Sequence, residues 1–302
     1  MWRKHGRLSD PKGWPRMLVL AAVLLALSAT AAVKDVPLDA EERIALWPQG
    51  KIPDFDARQS DAVLEVVRVP DVRSEAFVIV IGGGSYQHLP FVYDPADMVA
   101  TLASNGIRCA NLRHRCPRPT GKPKYLSAWQ DVQRAVRVCR ANASRWKVSP
   151  EKIGVIGFSA GGHCALLAAV SSQTAAYGPV DDLDSRPCNV NFAVPAYPGY
   201  VLDGYDNLTH GFTDARKGHE KDWSLPLGAE FKFDASTPPM YLLHGEADEM
   251  VPVMGTVILF NRLLKMGTPV QLQVFTRQGH GLESVTGWRD QVVEWMRALH
   301  LL

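Results

Sequence analysis

The chain has 302 residues, of which 46% are hydrophobic and 21% charged, and a net charge of +2. That composition can bury a sizeable core and excludes a disordered chain, and the length suits one large α/β domain or two small ones. The small, scattered positive charge leaves no electrostatic footprint for a nucleic-acid or acidic-polymer partner.

The N-terminus has the order of a secretory signal. Arg3, Lys4, Arg7, Lys12 and Arg16 precede the apolar run MLVLAAVLLALSATAA, which ends in the small-residue pattern Ala29-Thr30-Ala31. The run from Met17 to Ala32 is shorter than the roughly 20 residues of a spanning helix. Residues 1–32 are therefore expected to be a cleaved signal, with the mature chain starting near Val33, secreted or periplasmic and without stable membrane association. An uncleaved membrane anchor is the alternative.

Residues 33–61, rich in Pro and Asp, are expected to lie over the surface of a domain spanning 62–302. Strands are predicted over Val63 to Val69 and Phe77 to Ile81, the second apolar throughout and so buried on both faces. A helix around Ala96 to Ser104 closes at Asn105-Gly106, and a strand follows over Ile107 to Leu112. Leu126, Trp129, Val132, Val136 and Cys139 mark a helix over Leu126 to Trp146. Strand Ile153 to Ile156, helix Gly162 to Val170, and strands Val190 to Ala196 and Met240 to His244 come next. Helix Val253 to Met266, strand Val270 to Phe275 and helix Val285 to Leu301 complete the pattern. Strands alternating with helices imply a mostly parallel twisted sheet covered on both faces, with ligands at the carboxyl ends of the strands. The irregular stretch 200–236 reads as a small insertion facing a site.

Five cysteines (Cys109, Cys116, Cys139, Cys164, Cys188) leave at least one unpaired. Cys109 and Cys164 fall in apolar patterns; Cys116 and Cys188 lie in loops, and their pairing stays open. No C-x-x-C or H-E-x-x-H spacing occurs, so no metal and no cofactor are expected.

Gly157-Phe158-Ser159-Ala160-Gly161 fits G-x-S-x-G between a predicted strand and a predicted helix. A serine there projects above the sheet on a crowded turn, where the flanking glycines remove side chains that would clash. A hydroxyl needs a base, and the base an orienting carboxylate, in the chain order Ser, acid, His. Asp248 in HGEADEMVPV and His280 in TRQGHGL both follow strands and fall on the edge of Ser159; Glu246 is the alternative acid. His163, in the first turn of the following helix, suits bracing better than base chemistry, and His244 suits a strand end. No spacing places His88, His210 or His219. The amide after the nucleophile, on Ala160, and the run Gly82-Gly83-Gly84 are suited to binding an oxyanion. The same run fails as a phosphate cradle, because Gln87 stands where G-x-G-x-x-G needs glycine and no G-K-[ST] follows.

IGGGSY, GFSAGGH, DEMVP and GHG, with LWPQGKIPD near the mature start, resemble α/β-hydrolases of the carbohydrate-esterase type, described as acetyl xylan esterase-like or feruloyl-esterase-like. The resemblance runs from about Leu46 to the C-terminus. It implies Ser159 as nucleophile, Asp248 as acid, His280 as base, and Gly83, Gly84 and Ala160 as oxyanion donors. It further implies cofactor-free hydrolysis of short acyl, mostly acetyl, esters on sugars. Ile81 departs from the His or Pro often found at that motif position, and NLRHRCPRPTGKPKY is more basic than its usual counterpart. Arg113, Arg115 and Arg118 read as solvated loop charges, with recognition of an acidic sugar as the alternative.

The insertion carries Tyr200, Tyr205, Phe212, Trp223 and Phe231 among polar residues, suiting a sugar-contacting wall in which Tyr200 and Trp223 touch substrate. Tyr86, directly after the glycines, is expected beside the acyl group. The leading expectation is thus a secreted serine esterase acting on a small ester or an acetylated carbohydrate. A lipase or peptidase on the same fold and a non-catalytic binding protein are the alternatives.

Overall fold

The computed structural model describes residues 35–206, 211–212 and 222–302. The expected signal segment, His210, His219 and the side chain of Phe212 lie outside the described residues. Among the described residues ten strands occur in chain order: β1 (Ala40–Ala45), β2 (Val63–Val67), β3 (Phe77–Ile81), β4 (Arg108–Arg113), β5 (Ile153–Phe158), β6 (Phe192–Ala196), β7 (Tyr205–Asp206), β8 (Gly211–Phe212), β9 (Met240–Gly245) and β10 (Val270–Phe275). Eight of them form one sheet in the order β1-β2-β4-β3-β5-β6-β9-β10, while β7 and β8 pair separately inside the insertion. β1 and β2, and β2 and β4, run antiparallel; every other neighbouring pair in the large sheet is parallel. This is the α/β-hydrolase arrangement expected of alternating strands and helices.

The strand sequences explain why both faces are covered. β3 reads FVIVI and is buried throughout. Phe77, Ile79 and Ile81 pack into one hydrophobic layer, Val78 and Val80 into the other, as the two-residue period requires. The flanking helices are α1 (Tyr93–Ser104), α2 (Leu126–Trp146), α3 (Ala160–Val170), α4 (Val253–Lys265) and α5 (Trp288–Ala298). Val132, Val136 and Cys139 of α2 and Leu166 and Leu167 of α3 belong to the first layer. Met98 and Leu102 of α1 and Trp288, Val292 and Met296 of α5 belong to the second.

Two expectations are corrected by this architecture. The segment predicted to lie over the surface supplies edge strand β1 and buries Leu46 and Trp47. Its AEERIA sequence shows only a half-buried alternation, too polar to announce a strand. Within the basic segment, Arg115 is not solvated. It is 3% exposed and its Nε donates to Asp131 of α2 at 2.9 Å, while Asp131 also accepts from Trp47 Nε1 at 2.7 Å. Burial alone would be costly for either charge, and the pairing offsets it. Arg118 is also engaged, donating to the Ser85 carbonyl and to Tyr200 Oη. Arg113 alone is substantially solvated, its guanidinium 3.6 Å from Asp35. All five cysteines are free thiols, so Cys116 and Cys188 are not bridged.

Candidate active site

β5 runs to Phe158 and α3 begins at Ala160, which leaves Ser159 alone on the turn with φ 55° and ψ −117°. For a non-glycine residue that conformation costs on the order of 1–3 kcal/mol. The surroundings impose it. The Ser159 amide donates to the Ala196 carbonyl at 3.1 Å, and the Ser159 carbonyl accepts from the amides of His163 at 3.1 Å and Gly199 at 2.9 Å. A Cβ on Gly157 would lie 2.0 Å from the Gly161 carbonyl oxygen, and one on Gly161 would lie 2.3 Å from that of Ile81. Only glycines fit at these two positions, which is the physical content of the G-x-S-x-G spacing.

The structure brings Ser159, His280 and Asp248 together. His280 Nδ1 lies 2.7 Å from Asp248 Oδ2 and Nε2 lies 3.0 Å from Ser159 Oγ. A carboxylate only accepts, so the proton sits on Nδ1 and Nε2 is free to accept from the serine hydroxyl. Asp248 Oδ1 accepts from the amides of Met250 and Val251 at 2.9 and 2.8 Å. Burial pushes the Asp248 carboxyl up, but hydrogen bonding to His244 and His280 outweighs it and holds the group well below the usual carboxylate range. Glu246, the alternative acid, instead accepts from the Arg277 amide at 3.1 Å.

Some groups around this set have no local sequence signal. His244, expected to end its strand, is the last residue but one of β9, and it is fully buried with Nε2 3.2 Å from Asp248 Oδ2. Its Nδ1 accepts from the Thr256 hydroxyl at 2.7 Å, and its Nε2 donates to the Val251 carbonyl at 3.0 Å. The Tyr197 ring stands edge-on to His280 with centroids 4.9 Å apart, and its hydroxyl donates to Asp94 at 2.7 Å. Asp94 also accepts from the Leu282 amide at 2.6 Å, two residues past His280. Nothing adjacent in sequence joins these residues.

Gly83 lies beside the nucleophile: a Cβ built there would be 3.1 Å from Ser159 Cβ. Gly84, Ser85 and Tyr86 all have positive φ, at 103°, 53° and 62°. A Cβ on Gly84 would lie 2.1 Å from the His88 carbonyl oxygen, so this turn demands glycine. A cavity of about 360 Å³ opens over Ser159, with Gly83, Gly84, His280, Tyr93 and Met250 in its lining. Two larger clefts, of about 470 and 500 Å³, lie elsewhere and contain none of these groups. Among the described residues no cluster of His, Cys, Asp and Glu is arranged to hold a metal ion, and no helix is long and apolar enough to cross a membrane.

The expected substrate contacts fare differently. Tyr86 is 1% exposed and outside the cavity lining, so it does not bound the acyl group. Its ring stacks on Tyr200 and its hydroxyl lies 2.7 Å from His163 Nδ1. Tyr200 is itself buried and borders a separate pocket of about 210 Å³ with Lys124 and Glu230. Trp223 is 61% exposed and is not part of the cavity over Ser159. His163 is fully buried and braces the turn, its Nε2 3.2 Å from Glu230. Burial pushes the His163 imidazole down in pKa, favouring its neutral form.

Residues 67–263, well over half of the chain, match the BD-FAE family. The chain belongs to the BD-FAE family. Over 225 residues this BD-FAE member is 26% identical to endo-1,4-beta-xylanase B of Butyrivibrio fibrisolvens, a match covering 72% of the chain and 35% of that protein. Over 251 residues it is 25% identical to an acetylxylan esterase of Xylanibacter ruminicola, covering 76% and 47%. The chain thus spans less than half the length of these curated relatives. The solved structure of an acetyl ester-xyloside bifunctional hydrolase from Caldicellulosiruptor lactoaceticus superposes with a TM-score of 0.68 at 24% identity, covering 88% of this chain and 98% of that one. At that identity the likeness concerns the fold.

Proposed function

We propose that this chain is a serine carboxylic-ester hydrolase that removes short acyl groups, acetyl above all, from carbohydrate. The hydrogen-bonded series Ser159, His280, Asp248 at the mouth of a cavity is the observation that carries this reading. Ser159 Oγ attacks the ester carbonyl carbon as its proton passes to His280 Nε2, and the resulting imidazolium is held by Asp248. The carbonyl oxygen becomes an oxyanion beside the amides of Gly83, Gly84 and Ala160. The carbon–alkoxy bond breaks, and the sugar hydroxyl leaves with the proton from His280. Water, activated by the same histidine, then cleaves the acyl-enzyme, releasing the acid and restoring Ser159.

The choice of carbohydrate esters rests on the BD-FAE family and on the name of the acetylxylan esterase relative. The signal-like order of residues 1–32 supports action outside the cytoplasm. An N-terminus near Val33 on exported protein is the result expected of that part of the reading.

The test is kcat/KM for p-nitrophenyl acetate, butyrate, octanoate and palmitate and for acetylated xylo-oligosaccharides, each repeated with Ser159→Ala. Acetyl esters should be cleaved fastest, with the rate falling past about four carbons, because a buried methylene gains only ~0.8 kcal/mol and the open cavity cannot enclose a long chain. An optimum at octanoate or longer would indicate a lipase-like enzyme.

A further inference from the structure

The geometry points to Tyr86 and His163 as positioning residues: a buried latch that holds the glycine loop in its oxyanion-binding conformation and ties it to the insertion through Glu230. The inference deepens the proposed function and rests on the oxyanion role of Gly83 and Gly84. Three consecutive residues, Gly84, Ser85 and Tyr86, hold positive φ. A conformation of that kind persists only where the surroundings over-determine it.

The loop's local backbone bonds are few: the Gly84 carbonyl accepts from the Gln87 amide at 2.8 Å and, more loosely, from that of His88 at 3.3 Å. Side chains from distant elements complete the restraint. Glu230 accepts from His163 Nε2–H at 3.2 Å, which leaves Nδ1 bare to accept the Tyr86 O–H at 2.7 Å. The direction of both bonds is therefore fixed by the carboxylate at one end. His163 is anchored in turn, since its amide bonds to the Ser159 carbonyl. His163 thus joins the nucleophile turn by its amide and the glycine loop and the insertion by its imidazole. Arg118 adds a second tie, Nε donating to the Ser85 carbonyl at 3.0 Å while Nη2 donates to Tyr200 Oη at 2.5 Å. Tyr200 stacks on Tyr86 with centroids 5.9 Å apart, so the ring is held even where the hydroxyl is removed.

The side chains that form the ties, Tyr86, His163, Glu230, Arg118 and Tyr200, are not in the lining of the cavity over Ser159. Loss of the latch should therefore leave substrate binding nearly untouched and weaken stabilisation of the oxyanion. The experiment compares wild type with Tyr86→Phe, His163→Gln, the double variant and Glu230→Leu. Two readouts are taken: kcat and KM on p-nitrophenyl acetate, and the rate at which an alkyl fluorophosphonate labels Ser159. Labelling develops charge on the phosphoryl oxygen in the same place and does not depend on which ester is the natural substrate. Tyr86→Phe should lower kcat and the labelling rate about 10-fold or more, with KM within about twofold and the melting temperature lowered by only a few degrees, the cost of leaving His163 Nδ1 unpaired. The double variant should be no worse than the worse single one, because the two residues act as a unit. Glu230→Leu, at the half-buried far end, should give the same pattern more weakly and covers the case in which His163→Gln does not fold. Wild-type kcat and labelling in a folded Tyr86→Phe, or a rise in KM alone, overturns the latch. If wild type labels but cleaves no ester, the proposed function fails, while the labelling rates of the variants still decide the latch.

Discussion

Two turns at the carboxyl ends of neighbouring parallel strands, one after β5 and one after β3, face each other across the proposed reaction centre, and they are held by different means. The turn at Ser159 is fixed by backbone: three main-chain hydrogen bonds surround one strained residue, and two glycines leave no room for a Cβ. The loop at Gly83 to Tyr86 is fixed by side chains that arrive from far along the chain, Arg118 from 33 residues away and His163 from 77. A turn restrained by its own backbone carries its signature in adjacent residues. A loop restrained from outside does not.

The largest effect should come at the first turn. Ser159→Ala should cut ester hydrolysis on the order of 10⁴-fold or more, since the members of such a triad act together. The variant should melt within a few degrees of wild type. Normal turnover in this folded variant would falsify the triad.

The acid loop sharpens the contrast between bonded and merely adjacent carboxylates. Asp248→Asn should cost about 10³- to 10⁴-fold in kcat, because the amide leaves His280 in the wrong tautomer. Glu246→Gln should stay within about threefold. Steady-state kinetics on both variants decides it, and a larger loss at Glu246 would move the acid two residues upstream.

Stability tests the tightness of the first turn next, against a glycine in an open loop. Gly157→Ala must displace the Gly161 carbonyl and should destabilise the fold by about 1–3 kcal/mol or more. Gly178→Ala, whose Cβ would meet nothing within 4 Å, should change stability by less than about 0.5 kcal/mol. Urea unfolding of the pair gives both values. Equal losses would show that the backbone around Ser159 yields more readily than its contacts imply.

The smallest effect concerns pH. Asp248 has a carboxyl pKa depressed in the folded state, so its ionisation stabilises the protein above the ordinary carboxylate pKa of about 4. That contribution is lost as pH falls from about 4 through the lower folded value. In acid titrations followed by circular dichroism, Asp248→Asn should therefore show a flatter stability curve than wild type in that window. A parallel pair of curves would mean that Asp248 titrates alike in folded and unfolded chains.

Legibility in the sequence follows the same division. The range of α2 is read to the residue, because its apolar positions recur at helical spacing over its whole length. The grouping of Ser159, Asp248 and His280 is legible because each sits in a short motif after a recognisable strand. β1 is not, since an edge strand buries only alternate residues and AEERIA supplies little apolar contrast. Adjacency to the glycines places the Tyr86 Cα and says nothing of where the ring points, which is into the core against Tyr200. The burial of Arg115 has no local signal, because a loop charge defaults to water and its partner Asp131 lies inside an otherwise amphipathic helix. His244 and Asp94 gained their contacts only through folding.

The attachment of the N-terminal segment has a consequence for the order in which the chain can assemble. Trp47 bonds to Asp131, 84 residues on, and the Leu46 carbonyl accepts from Arg134, 88 residues on. At roughly 5–20 residues per second, a ribosome takes about 4–18 s to span that interval. The bonds that fasten Leu46 and Trp47 to α2 must therefore wait for the middle of the chain to emerge, although β1 itself needs only β2, about twenty residues on. The residues that follow the edge strand are thus among the earliest made, yet their ties to α2 close only once that helix has emerged.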